Sequence, residues 1–181
     1  LAPEHVRRRK RAVDAMRIGW GGNIIMVVYA EIVERNIGLV SEQEQQELRC
    51  SKVAVLGVGG IGGVVAEILV RSGVGKLVLV DRDRFEASNL NRQIFACRDT
   101  LGRAKTEVAR EFLERINSDL TIETHNTVSE ANAELVIRGC DLVVLGIDSV
   151  GPCVAASRVA RARNIPLVEG WAIPYGNVRV I

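Results

Sequence analysis

The stretch that decides the fold is KVAVLGVGGIGGVVAEILVRSGVGKLVLVD, residues 52–81. Two apolar runs, residues 52–56 and 76–80, flank a glycine-rich turn and an apolar helical pattern over 61–72. Apolar runs without polar alternation are typical of strands buried on both faces, and a strand, a helix and a second strand in this order form a right-handed crossover. The stretch therefore predicts a βαβ unit in a parallel sheet.

The rest of the chain continues this alternation. Further strands are predicted over residues 121–124, 141–146 and 166–170 and around Arg179, with helices over 103–116, 131–138 and 153–163. A chain of 181 residues with 48% hydrophobic and 4% aromatic residues suits one α/β domain better than a β-sandwich. The predicted fold is a Rossmann-like, doubly wound, mainly parallel sheet with helices on both faces, whose ligands lie at the carboxyl ends of the strands.

The segment before the first strand has a helix signature. Ser41 precedes Glu44 by three residues, which is the spacing at which two side chains cap a helix reciprocally, and the helix is predicted to reach Cys50. Residues 1–40 are predicted to be an N-terminal helical segment that packs on the core or on a dimer partner. Residues 41–181 are predicted to be the main domain, truncated at its C-terminal end.

Composition and charge limit the classes of partner that the chain is expected to bind. The net charge is +2, and five consecutive cations over residues 7–11 leave the remainder slightly acidic, so we interpret this run as a solvated helix face and expect no nucleic-acid partner. The apolar run over 24–28 is too short to span a bilayer, so no membrane partner is expected. Four dispersed cysteines without a CxxC pair suit a reducing, cytoplasmic location.

The glycine-rich turn predicts a phosphate site. Its glycines fill the G-x-G-x-x-G positions and one position between them, at Gly57, Gly59, Gly60 and Gly62. Such glycines let phosphate oxygens approach the backbone amides at the positive end of a helix. Asp81 ends the second strand, where a carboxylate can accept hydrogen bonds from ribose hydroxyls. The alternative is a glycine turn that serves only close packing of helix and sheet.

The stretch DRDRFEASNLNRQ, residues 81–93, indicates which chemistry the nucleotide undergoes. A hydride-transferring enzyme has no use for Asn89, Arg92 and the nearby Lys105 beside its phosphates. Two cations and an amide there suit a reaction in which negative charge accumulates on phosphorus and on a leaving diphosphate. Asp148 follows a strand, where its carboxylate can hold magnesium. Taken singly, each residue could equally be a surface charge or a helix cap.

With these motifs in place, the sequence resembles a known family. The stretch VLGVGGIGGVVAEILVRSGVGKLVLVDRDRFEASNLNRQ, followed by GRAK, INSDL, GIDS and IPLVEG, is similar to the adenylating domain of the ubiquitin-activating, ThiF, MoeB and HesA superfamily. The SNLNRQ block is the most diagnostic part. The resemblance implies an ATP-binding adenylation domain, in which a C-terminal carboxylate attacks the α-phosphate of MgATP. That carboxylate is usually the terminal glycine of a ubiquitin-like or sulfur-carrier protein, and the products are an acyl-adenylate and diphosphate.

The resemblance also implies roles for individual residues. Asp81 would hold the ribose, and Asp148 would help to hold magnesium. The phosphate contacts are expected at Asn89, Arg92 and Lys105, and Gln93 is expected beside them without an assigned role. Asp83 is a further candidate for the nucleotide site. The role of Asp83 stays open, since it could ligand magnesium, pair with Arg82 or Arg84, or face solvent. Arg35 matches an arginine that reaches the neighbouring subunit's nucleotide site, which implies a homodimer.

Some features of the family are not found in this sequence. Relatives often carry a thioester or persulfide cysteine and a zinc held by two CxxC pairs, and zinc is expected here only if such pairs lie beyond the chain end. Cys140 and Cys153 are interpreted as structural, although Cys153 lies at a predicted helix start, where a thiol pKa can fall. Cys97 lies closest in sequence to the predicted phosphate ligands. Trp171 and Pro174 suggest an unusual acceptor pocket, so the acceptor could instead be a peptide terminus or a carboxylate on modified tRNA.

Two other classes of protein compete with adenylation. One is an NAD(P)-dependent oxidoreductase in which Arg82 or Arg84 binds a 2′-phosphate, although Asp81 disfavours NADP. The other is a nucleotide-binding scaffold subunit that has lost catalysis. The presence of the amide, both cations and Asp148 argues against the scaffold.

Overall fold

The computed structural model describes residues 27–171 and 177–181. These residues form one six-stranded sheet with the strand order β3-β2-β1-β4-β5-β6. The strands are β1 Lys52–Leu56, β2 Lys76–Val80, β3 Thr121–His125, β4 Leu142–Leu145, β5 Leu167–Trp171 and β6 Asn177–Val180. Neighbours from β1 to β5 pair in parallel, and β6 pairs with β5 in the antiparallel direction. The predicted doubly wound, mainly parallel sheet is confirmed.

Helices alternate with the strands. They are α1 Tyr29–Ile32, α2 Glu42–Cys50, α3 Gly60–Arg71, α4 Lys105–Ile116, α5 Ala133–Val136 and α6 Val150–Ala162, with 3-10 turns at Glu34–Asn36, Ala87–Asn89 and Arg98–Thr100. The helix predicted over 131–138 is shorter than expected. The helix predicted over 153–163 begins earlier, at Val150, because Pro152 falls in its first turn, where a helix needs no amide hydrogen from it.

The sheet separates two hydrophobic cores. Successive residues of a strand point to opposite faces, so Val53 and Val55 pack with α3 and α4, whereas Ala54 and Leu56 pack with α5 and α6. Both cores bury residues of β2 and β4 in the same alternating way. This burial on both faces explains why the strand sequences lack polar alternation.

The order of the strands reverses between β1 and β4. The chain proceeds from β1 outward to β3 on one side and from β4 outward to β6 on the other. The connections that follow β1 and β4 therefore run to opposite sides and leave a crevice at the carboxyl ends of these two strands. The Gly146 amide donates to the Leu56 carbonyl at 2.7 Å, which holds the starts of the two connections together.

The segment that precedes β1 packs against the base of the domain. The Ser41 amide donates to Glu44 Oε2 at 2.7 Å, and the Glu44 amide donates to Ser41 Oγ at 3.2 Å, which confirms the predicted capping box. The Tyr29 hydroxyl donates to the Gly73 carbonyl at 2.7 Å and so ties α1 to the end of α3. The division of the chain at residue 40 stays a prediction.

Residues 1–26 lie outside the described residues. The helix predicted for this segment, and the solvated helix face assigned to the five cations, therefore stay predictions. In the described part of the chain, none of the helices has the length and apolar character that a bilayer span requires.

Candidate active site

The glycine turn after β1 is fixed by close packing. Gly57 has a positive φ of 93°, and a Cβ atom there would lie 2.5 Å from the Gly146 carbonyl oxygen. A Cβ atom on Gly62 would lie 1.8 Å from the Gly57 carbonyl oxygen. At Gly59 and Gly60 the nearest atoms would be 3.7 Å away. Packing therefore requires glycine at two of the four positions, whereas the other two leave room above the turn.

A cleft of about 550 Å³ opens above the carboxyl ends of the strands. Its walls come from the glycine turn, from the end of β2 and the segment that follows it, and from the connections after β3 and β4. Ten predicted site residues line it: Gly57, Gly59, Gly60, Asp81, Asp83, Asn89, Arg92, Gln93, Lys105 and Asp148. α3 starts at this cleft, so its free backbone amides and dipole add positive potential there.

Asp81 connects the glycine turn with the charged segment after β2. Its Oδ2 accepts a hydrogen bond from the Val58 amide at 2.8 Å, and its Oδ1 accepts one from the Asp83 amide at 2.9 Å. A carboxylate oxygen can accept more than one hydrogen bond. The side chain thus fixes two loops and keeps acceptor capacity for ribose hydroxyls.

Lys105 begins α4 and is 6% exposed at the edge of the cleft. Its Nζ donates to Asp83 Oδ2 at 3.2 Å. Arg82 approaches Asp83 only to 3.9 Å, and Arg84 instead donates to the Gly102 carbonyl. Asp83, whose role the sequence leaves open, therefore pairs with Lys105, a partner that the sequence does not reveal because the two residues lie 22 positions apart.

Arg92 and Asn89 both line the cleft from the segment that follows β2. The exposed Arg92 donates through Nη1 to the Ser88 carbonyl at 2.9 Å and to Asn91 Oδ1 at 3.0 Å. Asn89 is buried, and its Oδ1 accepts from the Glu86 amide at 3.1 Å. The capping interpretation of Asn89 therefore holds for its oxygen, while the residue also lines the cleft.

Gln93 is a buried member of the cleft wall. It is 7% exposed, and its Nε2 lies close to where a Cβ atom of Gly59 would be. Within the described residues its Oε1 has no hydrogen-bond partner. A buried polar atom without a partner is uncommon in folded proteins and points to a missing water or ligand. Gln93 is thus suited to contact a bound nucleotide.

Asp148 follows β4 and is exposed at the cleft. The N-cap position of α6 belongs to Ser149, and Asp148 Oδ1 accepts a long hydrogen bond of 3.4 Å from the Ser149 hydroxyl. No cluster of three or more His, Cys, Asp or Glu side chains suited to a metal occurs in the described ranges. An exposed carboxylate at the cleft suits magnesium, which commonly takes one or two protein carboxylates and completes its shell with phosphate oxygens and water.

The structure adds cleft residues that the sequence analysis missed. Asn126, Thr127 and Val128 follow β3 directly and line the cleft beside the end of β2. Pro152 and Gly170 contribute from α6 and β5. The three residues after β3 could have been found from the sequence, because they follow a predicted strand whose carboxyl end must lie next to Asp81. Pro152 and Gly170 carry no such signal.

Two predicted residues lie away from the cleft. Gly62 is buried and packs against the Gly57 carbonyl group. Arg35 lies on the 3-10 turn Glu34–Asn36, is exposed, and does not line the cleft of its own chain. An action of Arg35 on a neighbouring subunit's site stays a prediction.

None of the four cysteines is among the residues that line the cleft. Burial raises the pKa of the Cys140 thiol to about 11. Burial also raises the pKa of the Cys153 thiol, mainly by desolvation, although the residue lies near the start of α6. The nearby carboxylates of Glu169 and Asp148 raise the pKa of the Cys153 thiol further. Cys50 and Cys97 are exposed free thiols.

The fold and the cleft define a class of protein. A doubly wound sheet with a glycine turn after β1 and an acid at the end of β2 is a Rossmann-like fold of the kind that binds nucleotides. The sequence model of the ThiF family matches residues 33–181, and the chain belongs to that family. The predicted superfamily is confirmed.

Several known proteins are similar to this chain. The SAMP-activating enzyme E1 of Haloferax volcanii is 38% identical over 132 residues, which cover 72% of this chain and 49% of that protein. Ubiquitin-like modifier-activating enzyme 5 of Drosophila ananassae is 37% identical over 141 residues, which cover 70% of this chain and 35% of that protein. The chain thus spans at most about half the length of these relatives.

A solved structure shows the same likeness. The Escherichia coli tRNA N6-threonylcarbamoyladenosine dehydratase TcdA, in complex with ATP, has a TM-score of 0.77 and 33% sequence identity to this chain. The match covers 83% of this chain and 63% of that one. A relative of this family therefore binds ATP on the same fold.

Proposed function

We propose that this chain catalyses the ATP-dependent adenylation of a carboxylate, giving an acyl-adenylate and diphosphate. The observation that carries the proposal is the convergence of Arg92 and Lys105 on a cleft that also contains the glycine turn and the start of α3. The two cations and the free backbone amides at the start of α3 give three sources of positive potential at one place, which suit a triphosphate. They exceed what a dinucleotide with two phosphates requires.

Electrostatics explains why adenylation needs these groups. The incoming carboxylate and the α-phosphate are both anions, and a pair of unit charges 4 Å apart in a partly buried site repels by about 4 kcal/mol. Arg92 and Lys105 would lower this barrier by screening the charges as they meet. No nucleophilic side chain is needed, because the substrate carboxylate itself attacks phosphorus once it is held in line.

Asp81 and Asp148 would hold the other parts of the nucleotide. Asp81 would accept hydrogen bonds from the ribose, and Asp148 would ligand magnesium. Magnesium, when bound, neutralises charge that develops on the leaving diphosphate. Asn89 and Gln93 would orient the phosphates with neutral amide groups.

We further propose that the acceptor is the C-terminal glycine of a ubiquitin-like or sulfur-carrier protein. The names of the two enzymes from Haloferax volcanii and Drosophila ananassae support this choice. The likeness to the tRNA dehydratase supports a second candidate, a carboxylate on modified tRNA. The slightly acidic composition beyond residues 7–11 favours the protein acceptor.

Acceptor-dependent exchange of labelled diphosphate into ATP tests the proposal. We expect exchange with a carrier that ends in Gly-Gly, and none when that carrier lacks its last glycine. Exchange that responds to modified tRNA and not to the carrier would replace the first candidate by the second. Binding of nicotinamide cofactor without any exchange would support the oxidoreductase, and ATP binding without exchange for any acceptor would support the scaffold.

We also propose a homodimer in which Arg35 reaches the partner's cleft. Its exposure and its distance from its own cleft support this role. Mixing Arg35→Ala with Lys105→Ala tests it, because each mixed dimer would contain one intact site. Since half of the dimers would be mixed, we expect about a quarter of the unmodified exchange rate. A mixture as inactive as its components would refute action across subunits.

The free cysteines support a cytoplasmic location.

A further inference from the structure

Asp83 is one of three acidic residues that line the cleft, and unlike Asp81 and Asp148 it has no part of the nucleotide assigned to it. Its side chain is 59% exposed and lines the cleft between Asp81 and Lys105. By charge alone it would repel a triphosphate. Its place in the site therefore requires an explanation other than direct attraction of the ligand.

The contacts that Asp83 makes explain its place in the cleft. Its backbone is held on both sides, since its amide donates to Asp81 Oδ1 at 2.9 Å and its carbonyl accepts from the Lys105 amide at 3.0 Å. A bridge between Arg84 and Ala104 continues this antiparallel pairing. The carboxylate of Asp83 thus starts from a fixed backbone position.

The buried ammonium of Lys105 needs a hydrogen-bond acceptor. Its side chain is 8% exposed and has a flexible four-carbon stem, and a buried ammonium requires an acceptor. Within the described residues, Asp83 Oδ2 at 3.2 Å is the acceptor for Lys105 Nζ. Without it, the ammonium would turn towards bulk water and away from the cleft.

We propose that Asp83 is a positioning residue, which holds the Lys105 ammonium at the phosphate position before the nucleotide arrives. This inference rests on the proposed function and deepens it. Asp83 reduces the positive charge of the cleft, but the fixed position of Lys105 outweighs that loss. The alternatives are that Asp83 contacts the nucleotide through magnesium, or that it only adds repulsion.

The sign of the change in ATP affinity separates these possibilities. Calorimetry on the full chain, with ATP and without an acceptor, would measure the dissociation constant both with magnesium and with a chelator. We expect Asp83→Ala to weaken binding by about tenfold in both conditions, although it removes a negative charge. Asp83→Asn keeps an acceptor for Lys105, and we expect it to remain within about threefold of the unmodified chain.

Two controls complete the experiment. Asp99→Asn removes an exposed charge on the 3-10 turn Arg98–Thr100, outside the cleft, and should leave binding unchanged. In a Lys105→Ala background, Asp83→Ala should cause no further weakening, because the group that it positions is absent. Tighter or unchanged binding by Asp83→Ala would overturn the proposal. The proposal would also be overturned if Asp83→Ala weakened binding only in the presence of magnesium, or if it still weakened binding in the Lys105→Ala background.

A readout that needs no ATP keeps this test separate from the proposed function. The side-chain methylene resonance of Lys105, assigned by comparison with Lys105→Ala, should be shifted from the exposed lysines and should lose that shift in Asp83→Ala. If Asp83→Ala does not fold, Asp83→Ser replaces it in all measurements. Failure of the unmodified chain to bind ATP would refute adenylation, whereas an unshifted Lys105 resonance would refute the positioning role.

Discussion

The glycine turn after β1 and the charged segment after β2 form two walls of the same cleft, but different forces hold them. The turn is fixed by backbone contacts so close that a methyl group on Gly62 would overlap the Gly57 carbonyl at 1.8 Å. The charged segment is fixed by hydrogen bonds, such as those of Arg92 and Lys105 to neighbouring oxygens. The shape of the site is therefore tied to the stability of the domain, whereas its charges can change while the domain stays folded.

Gly62→Ala should have the largest effect on the free energy of unfolding. The new methyl group cannot be accommodated unless β1 and α3 move apart, so we expect a loss of about 3 kcal/mol or more, or an insoluble chain. Denaturant unfolding followed by circular dichroism would measure it. Gly60→Ala is the matched control and should change stability by less than about 1 kcal/mol, since its nearest contact is 3.7 Å away. Equal stability of the two variants would contradict a sterically fixed turn.

Asp81→Ala should have an intermediate effect, because Asp81 joins the two walls. It removes the acceptors for the Val58 and Asp83 amides, and we expect a loss of about 1 to 3 kcal/mol from the free energy of unfolding. Asp81→Asn retains one acceptor oxygen and should lose roughly half as much. Thermal unfolding of the three proteins at the same pH provides the measurement. A melting temperature of Asp81→Ala equal to that of the unmodified chain would show that the walls are held independently.

Arg92→Ala should have the smallest effect on stability. The side chain is exposed and its contacts are local, so we expect a change within about 0.5 kcal/mol. Diphosphate exchange should nevertheless fall by about a hundredfold, because the proposed stabilisation of the reacting phosphate by Arg92 would be lost. Arg98→Ala, an exposed arginine that does not line the cleft, is the control for exchange. Unfolding of Arg92→Ala, or exchange that remains near normal, would remove the basis for its assigned role.

Much of the fold followed from the sequence because its elements are locally encoded. The apolar strands, the glycine turn and the capping box of Ser41 each have a short-range cause, and the structure has each of them. The ends of helices were less predictable. The start of α6 lies at Val150 because the first turn tolerates Pro152, which the pattern alone did not indicate.

The candidate site was predictable where it follows strands or motifs. The ten predicted residues that line the cleft come from two such stretches and from Lys105 and Asp148, since the carboxyl ends of parallel strands meet at one edge of a sheet. The partner of Lys105 was not predictable, because Asp83 meets it only through the pairing of two distant segments. The raised pKa of Cys153 likewise depends on burial among residues from several elements.

The sequence by itself determined the order of strands and helices, the glycine-rich turn and the residue types of the ThiF family, because local pattern and spacing encode these features. Only the tertiary structure decided which glycines are required by packing, which acid holds Lys105, and that Arg35 lies outside its own cleft. The physical reason is that contacts between distant segments depend on how two helical layers close over one sheet. No short stretch of sequence contains that geometry.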